Sequence, residues 1–140
     1  MKNIMTWMMV IGLSITAVTA RAAEPEKEKA AVTAAEKWLA LTDDGKNGES
    51  WKEAAGYFRA AVKQEQWEQS IQAARKPLGK LVSRKVKDTT YKTTLPGAPD
   101  GEYVVIRFDT SFENKKSAVE TVTPMLDKDG KWRVSGYFIK

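Results

Sequence analysis

The hydrophobic period of the chain changes once, near Leu81, and this change constrains the fold more than any other feature. Before it, between about residues 28 and 76, apolar residues recur every three to four positions, which is typical of amphipathic helices. After it, apolar and polar residues alternate with a period of two, which is typical of strands with one buried face. Helices followed by consecutive strands predict a single α+β domain with an antiparallel sheet.

Three helices are predicted in the first half of the chain. The first covers about residues 28–42, the second begins at Ser50 as its N-cap, and the third covers about residues 64–76. The apolar stripe of the first helix comprises Ala31, Ala34, Ala35, Trp38 and Leu41. Because each helix carries one tryptophan at a stripe position, we expect all three in the core, or lining a cavity if the fold is hollow. They are Trp38, Trp51 and Trp67, and Phe58 lies on the stripe of the second helix.

Four strands are predicted at about residues 81–94, 102–112, 117–126 and 131–140, separated by clusters of turn residues. The first strand carries several lysines, which is typical of a sheet edge. Gly130 fits the left-handed position of a tight turn between the last two strands. The strands therefore form a meander, against which the helices pack.

Hairpin geometry assigns the two faces of this sheet. We expect Leu126 opposite Trp132, Glu120 opposite Phe138, and Phe108 opposite Val122. The predicted inner face comprises Val104, Ile106, Phe108, Phe112, Ala118, Val122, Leu126, Trp132, Val134 and Phe138. The predicted outer face of the last two strands comprises Val119, Thr121, Thr123, Met125, Arg133, Ser135, Tyr137 and Ile139, a mixed surface that could form a homodimer.

Glu120 is the one carboxylate that this assignment places on the apolar face. Desolvation penalises its charged form, so it needs a cation or a raised pKa. Arg84, on the first strand, has the parity to reach it. Two interpretations remain open: Glu120 pairs with Arg84 or with backbone groups as a structural element, or it lies in a pocket as a general base or ligand anchor.

The composition excludes several classes of function. The chain has no cysteine and no histidine, which excludes disulfides, thiol nucleophiles, imidazole bases and the common zinc sites. Asp127 and Asp129 are only a fragment of a calcium loop, so no metal or cofactor is implied. The basic residues are scattered among acidic ones, which argues against nucleic-acid binding.

The first 22 residues are predicted to be an export signal. Lys2 precedes an apolar run, and Ala20-Arg21-Ala22 is a small-x-small cleavage site. Removing them lowers the formal charge from +5 to +3, with 21 basic and 18 acidic residues left. Residues 23–29 are then expected to be a flexible leader to a domain at residues 30–140, which would be periplasmic or secreted and would have no membrane anchor.

Four stretches carry a resemblance to a known family. They are LGKLVSR at 78–84, LPGAPDGEYVVI at 95–106, SFENKKSAVETVTPMLDKDGKW at 111–132 and RVSGYFIK at 133–140. In these the chain resembles bacterial domain-of-unknown-function family 4019, placed among the nuclear-transport-factor-2-like and cystatin-like folds. The resemblance implies three helices on a curved four-stranded sheet that encloses a cone-shaped cavity, and it brings no assigned activity.

The resulting functional expectation favours a binding module over an enzyme. Its ligand would be small and largely apolar, or a protein partner, held in or beside the cone. The expected lining is Glu120, Arg84, Trp38, Phe58, Trp67, Phe108 and Phe138. The alternatives are a cofactor-free lyase or isomerase with Glu120 as general base, and a structural dimerisation module.

Overall fold

The computed structural model describes the backbone of residues 18–140 and the side chains from residue 24 onward. Four helices come first: α1 (Val18–Asp43), α2 (Asn47–Lys52), α3 (Gly56–Ala61) and α4 (Gln64–Arg75), followed by a 3₁₀ turn, Lys76–Leu78. Four strands follow: β1 (Leu81–Lys92), β2 (Tyr103–Phe112), β3 (Lys115–Leu126) and β4 (Trp132–Ile139). They form one antiparallel sheet in the order β1-β2-β3-β4, so the predicted α+β class and the meander are confirmed. Most of the expected export signal lies outside the described residues.

The first helix is longer than its stripe indicates. α1 runs through residues 23–29, where a flexible leader was expected, and includes Pro25. Lys27 explains why this segment can be ordered: its ammonium group donates a hydrogen bond to Glu102 and lies 5.4 Å from the ring centre of Tyr91. A salt bridge and a cation–π contact therefore hold this part of the helix to the sheet.

The predicted second helix is divided in two. The chain leaves helical geometry after Lys52, and the amide of Ala55 donates to the carbonyl of Val134 on β4 at 2.8 Å. Ser50 is not an N-cap, because α2 begins at Asn47 and Ser50 is completely buried within it. A tertiary hydrogen bond has thus replaced a local helical one at Ala55.

The β2–β3 register differs from prediction by two residues. Phe108 lies opposite Glu120 and Ile106 opposite Val122. The two-residue turn places Phe112 opposite Lys115, three residues from the predicted pairing, and an irregularity between Thr110 and Phe112 reduces this offset to two. A slip of two residues moves each side chain along the strand and leaves it on the same face. The predicted faces of β2 and β3 are therefore unaffected.

The β3–β4 register departs from prediction halfway along the hairpin. Leu126 lies opposite Trp132 as predicted, and Gly130 has the expected positive φ of 81°. An irregularity at Pro124 then shifts the pairing by one, so Glu120 lies opposite Ile139. Because a one-residue shift reverses the faces, Tyr137 points inward and Phe138 points outward. The prediction of Phe138 as an inner-face residue, and of Tyr137 and Ile139 as outer-face residues, is wrong.

Candidate functional site

Glu120 lies at the centre of a buried polar cluster between the helices and the sheet. Its side chain has no exposed area. One carboxylate oxygen accepts a hydrogen bond from Nε of Arg84 at 2.7 Å and one from the hydroxyl of Thr110 at 2.6 Å. The other accepts a hydrogen bond from the hydroxyl of Tyr137. Three donors from three strands therefore satisfy the carboxylate that the sequence placed in the core.

A second carboxylate extends this cluster to the end of α1. Asp43 accepts two hydrogen bonds from Arg84, at 2.7 and 2.9 Å, in a bidentate pair. Arg75, at the end of α4, donates to the same carboxylate at 2.8 Å and to the hydroxyl of Thr42 at 3.0 Å. Two arginines alternate with two carboxylates, so the ion-pair chain Arg75–Asp43–Arg84–Glu120 is balanced in formal charge.

The surroundings of Asp43 and Tyr137 shift the pKa values of these two groups in opposite directions. Burial alone raises the pKa of Asp43, but hydrogen bonds and positive charge from Arg84 and Arg75 outweigh it and hold that pKa below its usual value. Burial, and then the charge of Glu120, raise the pKa of Tyr137 well above its usual range. Tyr137 therefore stays protonated and acts as a hydrogen-bond donor to Glu120. This arrangement suits a structural network better than proton transfer.

Aromatic side chains occupy the space between the helices and the sheet. The ring centres of Trp38 and Tyr137 are 5.3 Å apart, those of Trp38 and Trp67 are 5.7 Å apart, and those of Phe58 and Trp67 are 5.1 Å apart. Ser50 fixes both indoles, because its carbonyl accepts from Trp38 at 2.8 Å and its hydroxyl accepts from Trp67 at 2.8 Å. These rings occupy the space between the helices and the sheet in which the predicted cavity would lie.

The structure brings together some of the predicted site residues and separates one of them. Glu120 and Arg84 form the expected pair. Phe138 lies on the opposite face of the sheet, where it is 52% exposed. The remaining four are buried in the core: Trp38, Phe58, Trp67 and Phe108.

Several members of the polar cluster were not predicted from the sequence. Asp43, Arg75 and Thr110 were not predicted as site residues, and Tyr137 was predicted on the outer face. Pro124 could have indicated that Tyr137 points inward. A proline inside a strand has no amide to donate and favours a bulge at that point, and a bulge reverses the faces beyond it. No comparable local signal marks Asp43 or Arg75, since their contacts depend on how the end of α1 lies against the end of α4 and against β1.

An open cleft of about 680 Å³ lies beside the filled interior, between α1, α2 and β4. Ala34 and Leu41 line it, so part of the stripe predicted for the core of the first helix faces this cleft. Trp132 and Val134 contribute from β4, and Trp38 contributes from α1. Its charged lining residues are Lys37, Glu49, Glu53, Lys131 and Arg133.

Two further features bear on cofactors and membranes. Arg133 donates hydrogen bonds to Asp127 and to Asp129, and its two contacts with Asp129 are 2.8 and 2.7 Å long. The positive charge of Arg133 therefore lies beside both carboxylates of this acidic pair. Within residues 18–140 no group of three or more acidic residues is placed to hold a metal ion. No helix in this part of the chain combines the length and the apolar character needed to cross a bilayer.

The fold and the site define a small α+β module with a filled core and a structural ion-pair chain. A family model described as a protein of unknown function, DUF4019, matches residues 34–137, and the chain belongs to this family. No curated protein and no solved structure gave a significant match.

Proposed function

We propose that the chain is an exported, non-catalytic binding module whose ligand occupies the cleft between α1, α2 and β4. The observation that carries this proposal is the contrast between a filled interior and an open cleft beside it. A volume of about 680 Å³ lies within the range of roughly 300–1,000 Å³ usual for small-molecule sites. The site would therefore lie beside the cone and not within it.

The lining of the cleft favours a small, largely apolar ligand with one acidic group. Trp132 and Leu41 supply apolar surface, and Ala30, Thr33 and Ala34 on α1 leave room above it because their side chains are short. Lys37 and Lys131 form no salt bridge within the described residues, whereas Arg133 is already paired. An acidic group next to the two lysines would gain a charge-assisted hydrogen bond.

Export is part of the proposal and is supported by the pattern of residues 1–22. Cleavage after Ala22 would also leave Pro25 in the first turn of the remaining helix, where a missing amide costs no hydrogen bond. Mass spectrometry of the mature protein should give Ala23 as its first residue. A chain that keeps residues 1–22 would contradict this part of the proposal.

Catalysis by Glu120 receives no support from this geometry. A general base must reach a proton on its substrate. Glu120 is fully buried, and both its oxygens already accept hydrogen bonds from protein groups. We therefore propose binding and do not propose a lyase or isomerase reaction.

The cleft can be tested with 1-anilinonaphthalene-8-sulfonate, a probe that combines an apolar ring system with an acidic group. Titration into the folded protein, followed by ¹H–¹⁵N NMR, should shift the resonances of Leu41, Lys131 and Trp132. Ala34→Phe fills the cleft and should weaken binding at least about tenfold, roughly 1.4 kcal/mol.

Ala73→Phe is the matched control, because Ala73 is exposed on α4, away from the cleft. It should bind the probe as the wild type does. Equal binding by the Ala34→Phe variant, or shifts spread evenly over the protein, would contradict the proposal.

A further inference from the structure

The two edges of the sheet are protected unequally. β1 has two register irregularities and carries Lys85, Lys87 and Lys92, which are features that discourage the addition of another strand. Among the residues that the structure describes, protection of β4 is confined to its first half, where the carbonyl of Val134 accepts the amide of Ala55 and the pairing shifts at Pro124. The segment Gly136–Lys140 lies beyond both of these features.

The backbone of this segment presents hydrogen-bonding groups at the open edge. Val119 and Lys140 exchange two backbone hydrogen bonds, both of 3.0 Å, so the backbone of Lys140 faces β3. Successive residues of a strand direct these groups to opposite sides. Phe138 therefore also faces β3, and the amides and carbonyls of Tyr137 and Ile139 point outward. Within the described residues, no other element supplies a backbone hydrogen bond to Tyr137 or Ile139 on that side.

Next to this open edge lies the exposed aromatic ring of Phe138. The ring is on the outer face and is 52% exposed, although a phenyl group of this size gains about 2 kcal/mol or more from burial. Its neighbour two residues earlier is Gly136, which leaves space beside the ring. An unpaired edge and an exposed aromatic side chain thus coincide within five residues.

We propose that Gly136–Lys140 pairs with the same segment of a second copy, antiparallel, about a two-fold axis at Phe138. In this register Tyr137 lies opposite Ile139 of the second copy, and both residues present their backbone groups to each other. Two such pairs give about four hydrogen bonds. Phe138 lies opposite Phe138 of the second copy in a non-hydrogen-bonded pair, the type in which facing side chains are closest.

The charges are compatible with this register. Lys140 lies opposite Gly136 of the second copy, so no cation faces another cation directly. Contact through the outer face is less favourable, because Arg107, Asp88 and Arg133 would lose water there. The paired segment is short, and its buried area falls below the roughly 1,200–2,000 Å² of a standard interface. The dimer is therefore weak and forms as concentration rises.

Sedimentation equilibrium between about 10 μM and 1 mM tests the association. The average mass of the wild type should rise toward that of a dimer. Phe138→Lys should raise the dissociation constant at least about tenfold, because it removes the facing rings and brings two cations together. Thr90→Lys adds the same charge at an exposed outer position of β1 and should associate as the wild type does. A wild type that stays monomeric at 1 mM would overturn the proposal.

Cysteine crosslinking tests the register, and the chain has no cysteine of its own. Phe138→Cys should form a disulfide-linked dimer on mild oxidation, because facing Cα atoms about 4.5 Å apart suit a disulfide. Lys140→Cys should not, since the two copies of that residue lie about 14 Å apart along the strands. Val105→Cys, on the outer face of β2, would crosslink only in a face-to-face dimer, and that result would overturn the edge arrangement.

This proposal is independent of the cleft. The Ala34→Phe variant, which fills the cleft, should dimerise as the wild type does. Loss of probe binding and loss of association therefore report on separate sites.

Discussion

At the scale of single residues, the question raised by the sequence concerns Glu120. An isolated buried carboxylate would be costly, and the cost is offset here by Arg84, Thr110 and Tyr137. Such a network adds little stability compared with a well-packed apolar core, but breaking it leaves an uncompensated charge. The network therefore fixes the arrangement of the strands more than it strengthens the fold.

Glu120→Gln tests this view. The variant keeps the shape of the side chain but removes the charge that balances Arg84, and we expect the free energy of unfolding to fall by about 3 kcal/mol. Urea denaturation followed by tryptophan fluorescence measures the change. Glu113→Gln, at an exposed turn position, should change it by less than about 0.5 kcal/mol. A Glu120→Gln variant as stable as the wild type would show that the charge has no structural role.

Two of the four members of the ion-pair chain, Glu120 and Arg84, could be predicted from the sequence. Strand parity alone placed Glu120 and Arg84 on the same face, because the side-chain period of a strand is fixed at two. The partners outside the sheet could not be found in this way. Asp43 reaches Arg84, and Arg75 reaches Asp43, only because the ends of α1 and α4 come together beside β1, and no local sequence pattern specifies this arrangement.

At the scale of elements, β4 shows how one irregularity changes a whole face. Pro124 on β3 has no amide, so β4 can shift there at the loss of little hydrogen bonding. Tyr137 then takes an inner position, in contact with Trp38 and Trp67. The exposure of Phe138 follows from the same shift.

A pair of alanine variants distinguishes the two registers. Tyr137→Ala removes a core aromatic ring and a hydrogen bond to a carboxylate, and should cost about 3–5 kcal/mol of unfolding free energy. Phe138→Ala should cost less than about 1 kcal/mol in the same measurement, made at micromolar concentration so that association does not contribute. The regular register predicts the opposite order, so a larger effect at Phe138 would contradict the shift.

The elements themselves were largely predictable from the sequence. The four strands and α4 follow from strong periodicity, and turn residues mark their ends. The division of the second helix was not predictable, because its cause is a bond from Ala55 to a strand about 80 residues away. The predicted apolar stripe of α1 was only partly correct. Ala34 and Leu41 face the cleft, and the stripe did not include Leu39, which is completely buried.

At the scale of the whole molecule, the ion-pair chain joins elements that are far apart in the sequence. Asp43 ends α1, Arg75 ends α4, Arg84 lies on β1 and Glu120 on β3. The helices therefore contact the sheet through apolar packing at the centre and through the ion-pair chain at one end. Asp43 is the member that links helix to helix and helix to sheet.

The position of Asp43 predicts how stability depends on acid. Its pKa in the folded protein lies below the usual value of 3.8, so between these two values the unfolded chain binds more protons. The stabilisation from Asp43 is thus fully present above about pH 5 and is lost as the pH falls through the folded-state pKa. Asp43→Asn should cost about 2 kcal/mol at neutral pH, less than a fully buried pair because the side chain is 15% exposed.

Urea midpoints of the wild type and of Asp43→Asn, measured from about pH 7 to pH 2.5, separate this effect from that of the other acidic residues. The difference between the two proteins should be constant above about pH 5. It should shrink below about pH 4, where the unfolded wild type binds a proton at Asp43, and it should vanish below the lower pKa of the folded state, where both proteins carry a neutral group at residue 43. Asp44→Asn, at the exposed neighbouring position, should show no such difference. A gap that persists unchanged at the lowest pH would mean that Asp43 contributes through its shape and hydrogen bonds and not through its charge, and the ion-pair chain would then not connect the helices to the sheet electrostatically.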